Sequence, residues 1–165
     1  MTSFSAELEQ EAQITSRVLA RVPDEKLTWK PHPKSMTLGQ LALHTATIPG
    51  NIAGITTPDT FELDPSRFGN SPQPASVAEI HKAFDESLSA AKTYLAGLND
   101  EKSEALWRLK AGDREVMAIP RKWALRTIMF NHLYHHRGQL SVYLRLLEIP
   151  VPVIYGASAD ENPLK

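Results

Sequence analysis

Apolar residues recur at helical spacing in four stretches of this chain, and proline and glycine mark the breaks between them. From Ser5 to Val22, a stripe of Leu8, Ala12, Ile14, Val18, Leu19 and Val22 runs among Glu, Gln and Arg, and Pro23-Asp24 closes it. "LTWKPHPKSM" then sets prolines on both sides of His32, which predicts an extended linker. Thr37 is placed to cap a second helix, where Leu38, Leu41, Thr45 and Ile48 repeat at three and four residues. His44 stands beside that stripe, and Pro49-Gly50 is expected to stop or kink the helix. Ser76 followed by Glu79 predicts a capping box, after which Val77, Ile80, Phe84, Leu88, Ala91, Leu95 and Leu98 form a third stripe.

The pattern breaks twice. Thr56 to Ala75 holds four prolines and no helical period, so it reads as a long irregular connection. In "ALWRLKAGDREVMAIP", Leu106, Val116 and Ala118 alternate with charged residues about Gly112-Asp113, which predicts a short β-hairpin. Pro120 suits the first turn of a last helix from Arg121 to Leu147, with Leu125, Ile128, Met129, His132, His136, Leu140, Tyr143 and Leu147 on one face. The tail "EIPVPVIYGASADENPLK" should lie over the body as coil. The expected architecture is all-α: one domain, residues 1–165, forming an antiparallel four-helix bundle with a long crossover loop and a small hairpin before the last helix.

Composition narrows the functional classes. The chain has 165 residues, 42% hydrophobic and 22% charged, enough for one globular core. A net charge of −1 with the two signs interspersed gives no basic stripe, which argues against a nucleic-acid partner. The absence of cysteine excludes disulfides, thiolate metal sites and a thiol nucleophile from the chain itself. The start is polar and acidic, unlike a secretory signal, and no apolar run approaches about 18 residues. A cytoplasmic protein with no membrane span is expected.

The candidate chemistry lies in "FNHLYHHRGQL", where His132 and His136 stand four residues apart on the face that should bury leucine. Side chains so spaced stack on one helix face, and two imidazoles can converge on one divalent ion at about 2.0–2.1 Å. Binding an ion offsets the cost of burying two unpaired imidazoles. The competing reading is two ordinary core histidines, each satisfied by a neighbour. Leu133 stands where an H-E-x-x-H zinc protease carries its glutamate base, so that class is disfavoured. His44 is the candidate third ligand, because bundle cores gather ligands from facing helices. Three neutral imidazoles leave a coordination position open, as in catalytic sites.

"LTWKPHPKSMTLGQLALHTA", "NHLYHHRGQLSVYLR" and "IPVPVIYGASADE" together resemble the DinB superfamily, over nearly the whole chain and in the family's order. The resemblance implies a four-helix bundle holding zinc or nickel through three histidines, which carry over to His44, His132 and His136. It also implies a homodimer. Some relatives are S-transferases or isomerases that depend on a low-molecular-weight thiol (bacillithiol, mycothiol or glutathione), while most have no established reaction. The function expected is therefore a metal-dependent thiol S-transferase or thiol-dependent isomerase acting on a small electrophile. A metal-dependent hydrolase and a non-catalytic metal-binding or stress-response module are the alternatives, and no catalytic residue is assigned.

Among the remaining candidates, Arg137 is read as an exposed ion pair or as an orienter of an anionic substrate. Gln139 is a candidate hydrogen-bonder to substrate or metal-bound water. Gly138 is expected to admit a neighbouring helix. His135, His32 and His81 are expected at the surface, and Trp29, Trp107, Trp123 and Tyr143 in core or rim packing. Tyr155 and Ser158-Asp160 are placed over the site or at a dimer contact.

Overall fold

The computed structural model describes residues 2–64 and 71–162. They form α1 (Thr2–Leu19), α2 (Leu38–Thr56), β1 (Thr60–Glu62), α3 (Val77–Ala96), α4 (Asp100–Glu104), β2 (Leu106–Ala111), β3 (Arg114–Pro120), α5 (Arg121–Ala124), a π-helical turn (Leu125–Phe130) and α6 (Asn131–Leu146). The chain is mostly helical, but the all-α expectation is corrected by a three-stranded sheet in the order β1-β2-β3. The predicted hairpin is present, turning at Gly112, whose φ of +59° suits a residue without Cβ. β1 adds to it in parallel, pairing Phe61 with Leu109. It lies within the stretch read as irregular, of which residues 65–70 fall outside the described residues. No described helix is long and apolar enough to cross a membrane.

Capping follows the chemistry of the sequence. Thr37 accepts from the Gln40 N–H while the Gln40 side chain accepts from the Thr37 N–H, a complete capping box. At α3, Ser76 accepts from the Glu79 N–H, but the Glu79 carboxylate accepts from Ala75 instead of the cap. α2 continues through Pro49, against expectation. The Gly50 N–H is satisfied from outside the helix by Ser87 Oγ of α3 at 2.8 Å. A Cβ at Gly50 would stand 2.8 Å from Ser87 Cα, so glycine is what allows α3 close enough to do this.

The four long helical segments pack in a ring, α1 and α2 each touching both α3 and α6. Their directions correct the antiparallel expectation. Gly50 meets Ser87, and Thr56 meets Tyr94 further along, so α2 and α3 run parallel. The crossover through β1 causes this by returning the chain to the end at which α2 began. Glu7 meets Tyr134 and Glu11 meets Arg137, so α1 and α6 are also parallel. The core is in two clusters along this assembly. One gathers Val18, Leu19, Leu41, Phe84, Leu140 and Leu144, and the other gathers Leu8, Ile48, Leu95, Met129, Phe130 and Leu133.

In the hairpin, Leu106 and Val116 are each 44% exposed, while Trp107, expected in core or rim packing, is fully buried and donates from Nε1 to the Ile55 carbonyl.

Candidate metal centre

His44, His132 and His136 all sit at the junction of the two core clusters. On α2, His44 lies between Leu43 of one cluster and Ile48 of the other. On α6, the two histidines alternate with the buried row Leu133, Arg137, Leu140 and Leu144, so their own row is half-buried and turned toward α2. The expected continuous helix from Arg121 is instead interrupted by the π turn at Leu125–Phe130, immediately before His132. Such a turn inserts a residue into the helical register and changes which row of side chains faces inward.

The three rings converge. Each offers a nitrogen within 4.8 Å of the others, and among the described residues no other group of His, Asp or Glu can hold a metal in this way. Ring centroids are 5.0 Å apart for His44 and His132, 4.4 Å for His44 and His136, and 4.5 Å for His132 and His136. His44 Nε2 and His132 Nε2 are 3.3 Å apart. Two nitrogens sharing a tetrahedral ion at about 2.0–2.1 Å stand roughly 3.3–3.4 Å from each other. The His44 and His132 nitrogens therefore stand at the separation a shared divalent ion requires, with a His136 nitrogen within 4.8 Å of both.

Hydrogen bonding and burial prepare the rings to ligate. Gln139 Oε1 accepts from His136 Nδ1 at 2.8 Å, which leaves Nε2 of the neutral ring with its lone pair. Burial lowers the pKa of His44, and the neighbouring His132 lowers it further. Burial also lowers that of His132, opposed by a hydrogen bond to the backbone of Ile128 within the π turn. For His136, burial followed by the proximity of His44 pushes the value down to about 4. All three are neutral at pH 7, the form in which imidazole ligates.

The other candidates fall elsewhere. Gln139 bonds the candidate ligand His136 itself, a role its i+3 spacing was able to suggest. Arg137 is 1% exposed, which corrects the reading as a surface ion pair, and its guanidinium is engaged away from the triad. It donates to Glu11 Oε2 at 2.6 Å, to Thr15 Oγ1 at 3.0 Å and to the Tyr155 hydroxyl. Burial raises the Tyr155 hydroxyl to about 12. This polar core of α1, α6 and the tail was missed, because nothing local in the sequence pairs Glu11 with a residue so distant. A Cβ on Gly138 would meet nothing within 4 Å, so no helix approaches it. His135 and His32 are exposed, whereas His81 is half-buried. Trp123 is 54% exposed, and Trp29 packs edge-on to Tyr143. Asp160 and Glu161 tie the tail down, Asp160 to Arg145 and Glu161 to Arg17 and Arg21.

Helices of this order and direction around an imidazole-only cluster define a class: mostly helical proteins with a place for one divalent ion. The chain belongs to the DinB family, whose family model matches residues 1–162. It is 27% identical over 161 residues to the uncharacterized protein YrdA of Bacillus subtilis (strain 168), covering 96% of this chain and 89% of that one. The fold is similar to the crystal structure of a DinB-like protein from Bacillus cereus ATCC 10987, with a TM-score of 0.73 and 25% identity over 94% of this chain and 97% of the other. It is also similar in fold to the DinB-like protein YjoA of Bacillus subtilis, with a TM-score of 0.69 and 16% identity over 92% and 97% of the two chains.

Proposed function

We propose that this chain holds a zinc or nickel ion through His44, His132 and His136 and acts as a metal-dependent thiol S-transferase or thiol-dependent isomerase on small electrophiles. The observation that carries the reading is the meeting of three neutral imidazoles from two helices within 4.8 Å. A divalent ion held there supplies Lewis acidity and favours the ionised form of a bound thiol or water. The chain's residues supply the rest: three imidazoles fix the position, Gln139 fixes one tautomer, and the core clusters on either side hold the rings half-buried. With no cysteine in the chain, the sulfur comes on a separate low-molecular-weight thiol. In transfer the S–H proton passes to solvent, an S–C bond forms, and the leaving group departs with its bonding pair.

Among the described residues no carboxylate joins the cluster. That favours an ionised thiolate over hydrolysis, in which a general base must take a proton from water. The same observation favours the second reading, a non-catalytic metal-binding or stress-response module. In either case we read residues 1–165 as one cytoplasmic four-helix-bundle domain. The apolar pair Val142 and Leu146, one turn apart on α6 and 56% and 57% exposed, supports a homodimer.

Metal analysis of the purified protein and of His132→Ala tests the centre, with one ion per chain expected only in the former. A screen of thiols with electrophilic acceptors then tests the chemistry. Equal, negligible metal in both proteins contradicts the centre. Bound metal without any thiol-dependent turnover favours the non-catalytic module.

A further inference from the structure

Two carboxylates one turn apart on α1, those of Glu7 and Glu11, grip α6 and the π turn before it. Glu7 accepts from Nη1 and Nη2 of Arg126 in the π turn, each at 2.6 Å, and from the Tyr134 hydroxyl beyond it. The Arg126 guanidinium holds the Glu7 carboxyl below the usual carboxylate range, so the fork is charged on both sides at pH 7. Glu11 accepts from Arg137 through its carboxylate at 2.6 Å and through its backbone carbonyl at 3.2 Å. The same guanidinium lies 5.5 and 5.1 Å from the ring centroids of Tyr134 and Tyr155. At about 100° per residue, Tyr134 points roughly 160° away from both His132 and His136. Arg137 points about 100° from His136 and about 140° from His132. The grip is therefore on the side of α6 turned away from the imidazoles.

Stability alone does not account for this arrangement. The Arg137 charge is buried, its Nε has no partner among the described residues, and apolar groups in place of such a pair are often as stable or more so. What these bonds add to apolar packing is direction, because hydrophobic burial has none. The metal centre needs direction. With side-chain tips about 5–6 Å from the helix axis, a turn of α6 by about 10° moves them roughly 1 Å. Metal–ligand distances must hold to about 0.2 Å. The π turn enlarges the need, since losing its inserted residue would rotate everything beyond it by about 100°. Glu7 bonds one residue inside that turn and one after it, and so pins the register across it. We propose that Glu7 and Glu11, through Arg126, Tyr134 and Arg137, set the rotation and register of α6 and thereby aim His132 and His136 at His44. These five are positioning residues for the metal centre, and their assignment rests on the metal-centre reading.

The test uses the full-length protein and reads zinc affinity by chelator competition beside the urea midpoint of the metal-free form. Glu11→Leu/Arg137→Met should keep most of that midpoint yet bind zinc about 10- to 100-fold more weakly, the loss typical of residues that orient metal ligands. Tyr134→Phe removes one hydroxyl, leaves the ring in place, and should show a smaller loss of affinity in a protein that still folds. In both, the visible absorption of bound cobalt should depart from that of the intact protein. Trp107→Phe is the control, because it removes the bond to the Ile55 carbonyl and lowers stability without touching the α1 grip. Its zinc affinity and cobalt absorption should not change. An unchanged affinity and cobalt absorption in either variant, or a loss no larger than the control's, would overturn the proposal and leave the metal centre standing. Failure of the intact protein to take up either ion would overturn the metal-centre reading and this proposal together.

Discussion

Removing the Glu11 carboxylate leaves Arg137 charged, 1% exposed and without a counter-ion. In the intact protein Nη2 donates to Glu11 Oε2 at 2.6 Å, and Nη1 donates to Thr15 Oγ1 at 3.0 Å and to the Glu11 carbonyl at 3.2 Å. Nε has no partner among the described residues, so the guanidinium has little hydrogen bonding in reserve. Breaking such a pair from one side costs about 3–5 kcal/mol, because the surviving charge is stranded away from water. The Tyr155 hydroxyl, which bonds both Arg137 and Glu11, remains in Glu11→Ala and places the cost toward the lower end of that range. At a urea slope of about 2 kcal/mol/M, the unfolding midpoint should fall by roughly 1.5–2 M. Circular dichroism along a urea titration measures this directly. The double variant Glu11→Leu/Arg137→Met removes both charges and should recover most of the loss, since replacing a buried pair by apolar groups is often neutral or stabilising. A single-variant cost below about 1 kcal/mol, or a double variant as unstable as the single, would refute the reasoning.

Gln139→Leu frees the His136 ring and should weaken metal binding about 10- to 100-fold in chelator competition, and an unchanged affinity contradicts its orienting role. Ser87→Ala deprives the Gly50 N–H of its partner beside Pro49 and should cost about 1–3 kcal/mol in thermal or urea unfolding. No loss there would mean that α2 passes through Pro49 without help from α3. The metal-free protein should lose stability as pH falls below about 6.5, where unfolded histidines take up protons that His44, His132 and His136 resist in the fold. The loss should continue down to about 4, the folded value of His136. Urea midpoints across that window should vary less steeply in His136→Phe, and an equal slope in both proteins would exclude His136 as a source.

The parts of the fold legible in the sequence were those encoded locally. The caps at Thr37 and Ser76, the α3 stripe and the turn at Gly112 each depend on residues a few positions apart. His132 and His136 were legible as candidates because i,i+4 spacing fixes a shared face, His44 because it stands beside the apolar stripe of a facing helix, and the resemblance to a family pointed to the same three. What was illegible depends on partners distant in the chain. Pro49 is a helix breaker by local rules, and only Ser87 on α3 explains its tolerance. Which partner Trp107 finds in the core was not legible either, because the Ile55 carbonyl it reaches lies on α2. Arg137 looked like a surface charge because its counter-ion lies on α1. The π turn also left no mark in the apolar period, yet it helps determine which row of α6 faces α2.

X-ray absorption of the zinc- or nickel-loaded protein tests the central claim most directly, because it reads the ligands themselves. The account predicts one ion per chain with three imidazole nitrogens, at about 2.0–2.1 Å for zinc, plus at least one exchangeable light-atom ligand. In His44→Ala the imidazole count should fall. A shell with fewer than three imidazoles, or one unchanged by His44→Ala, would contradict it.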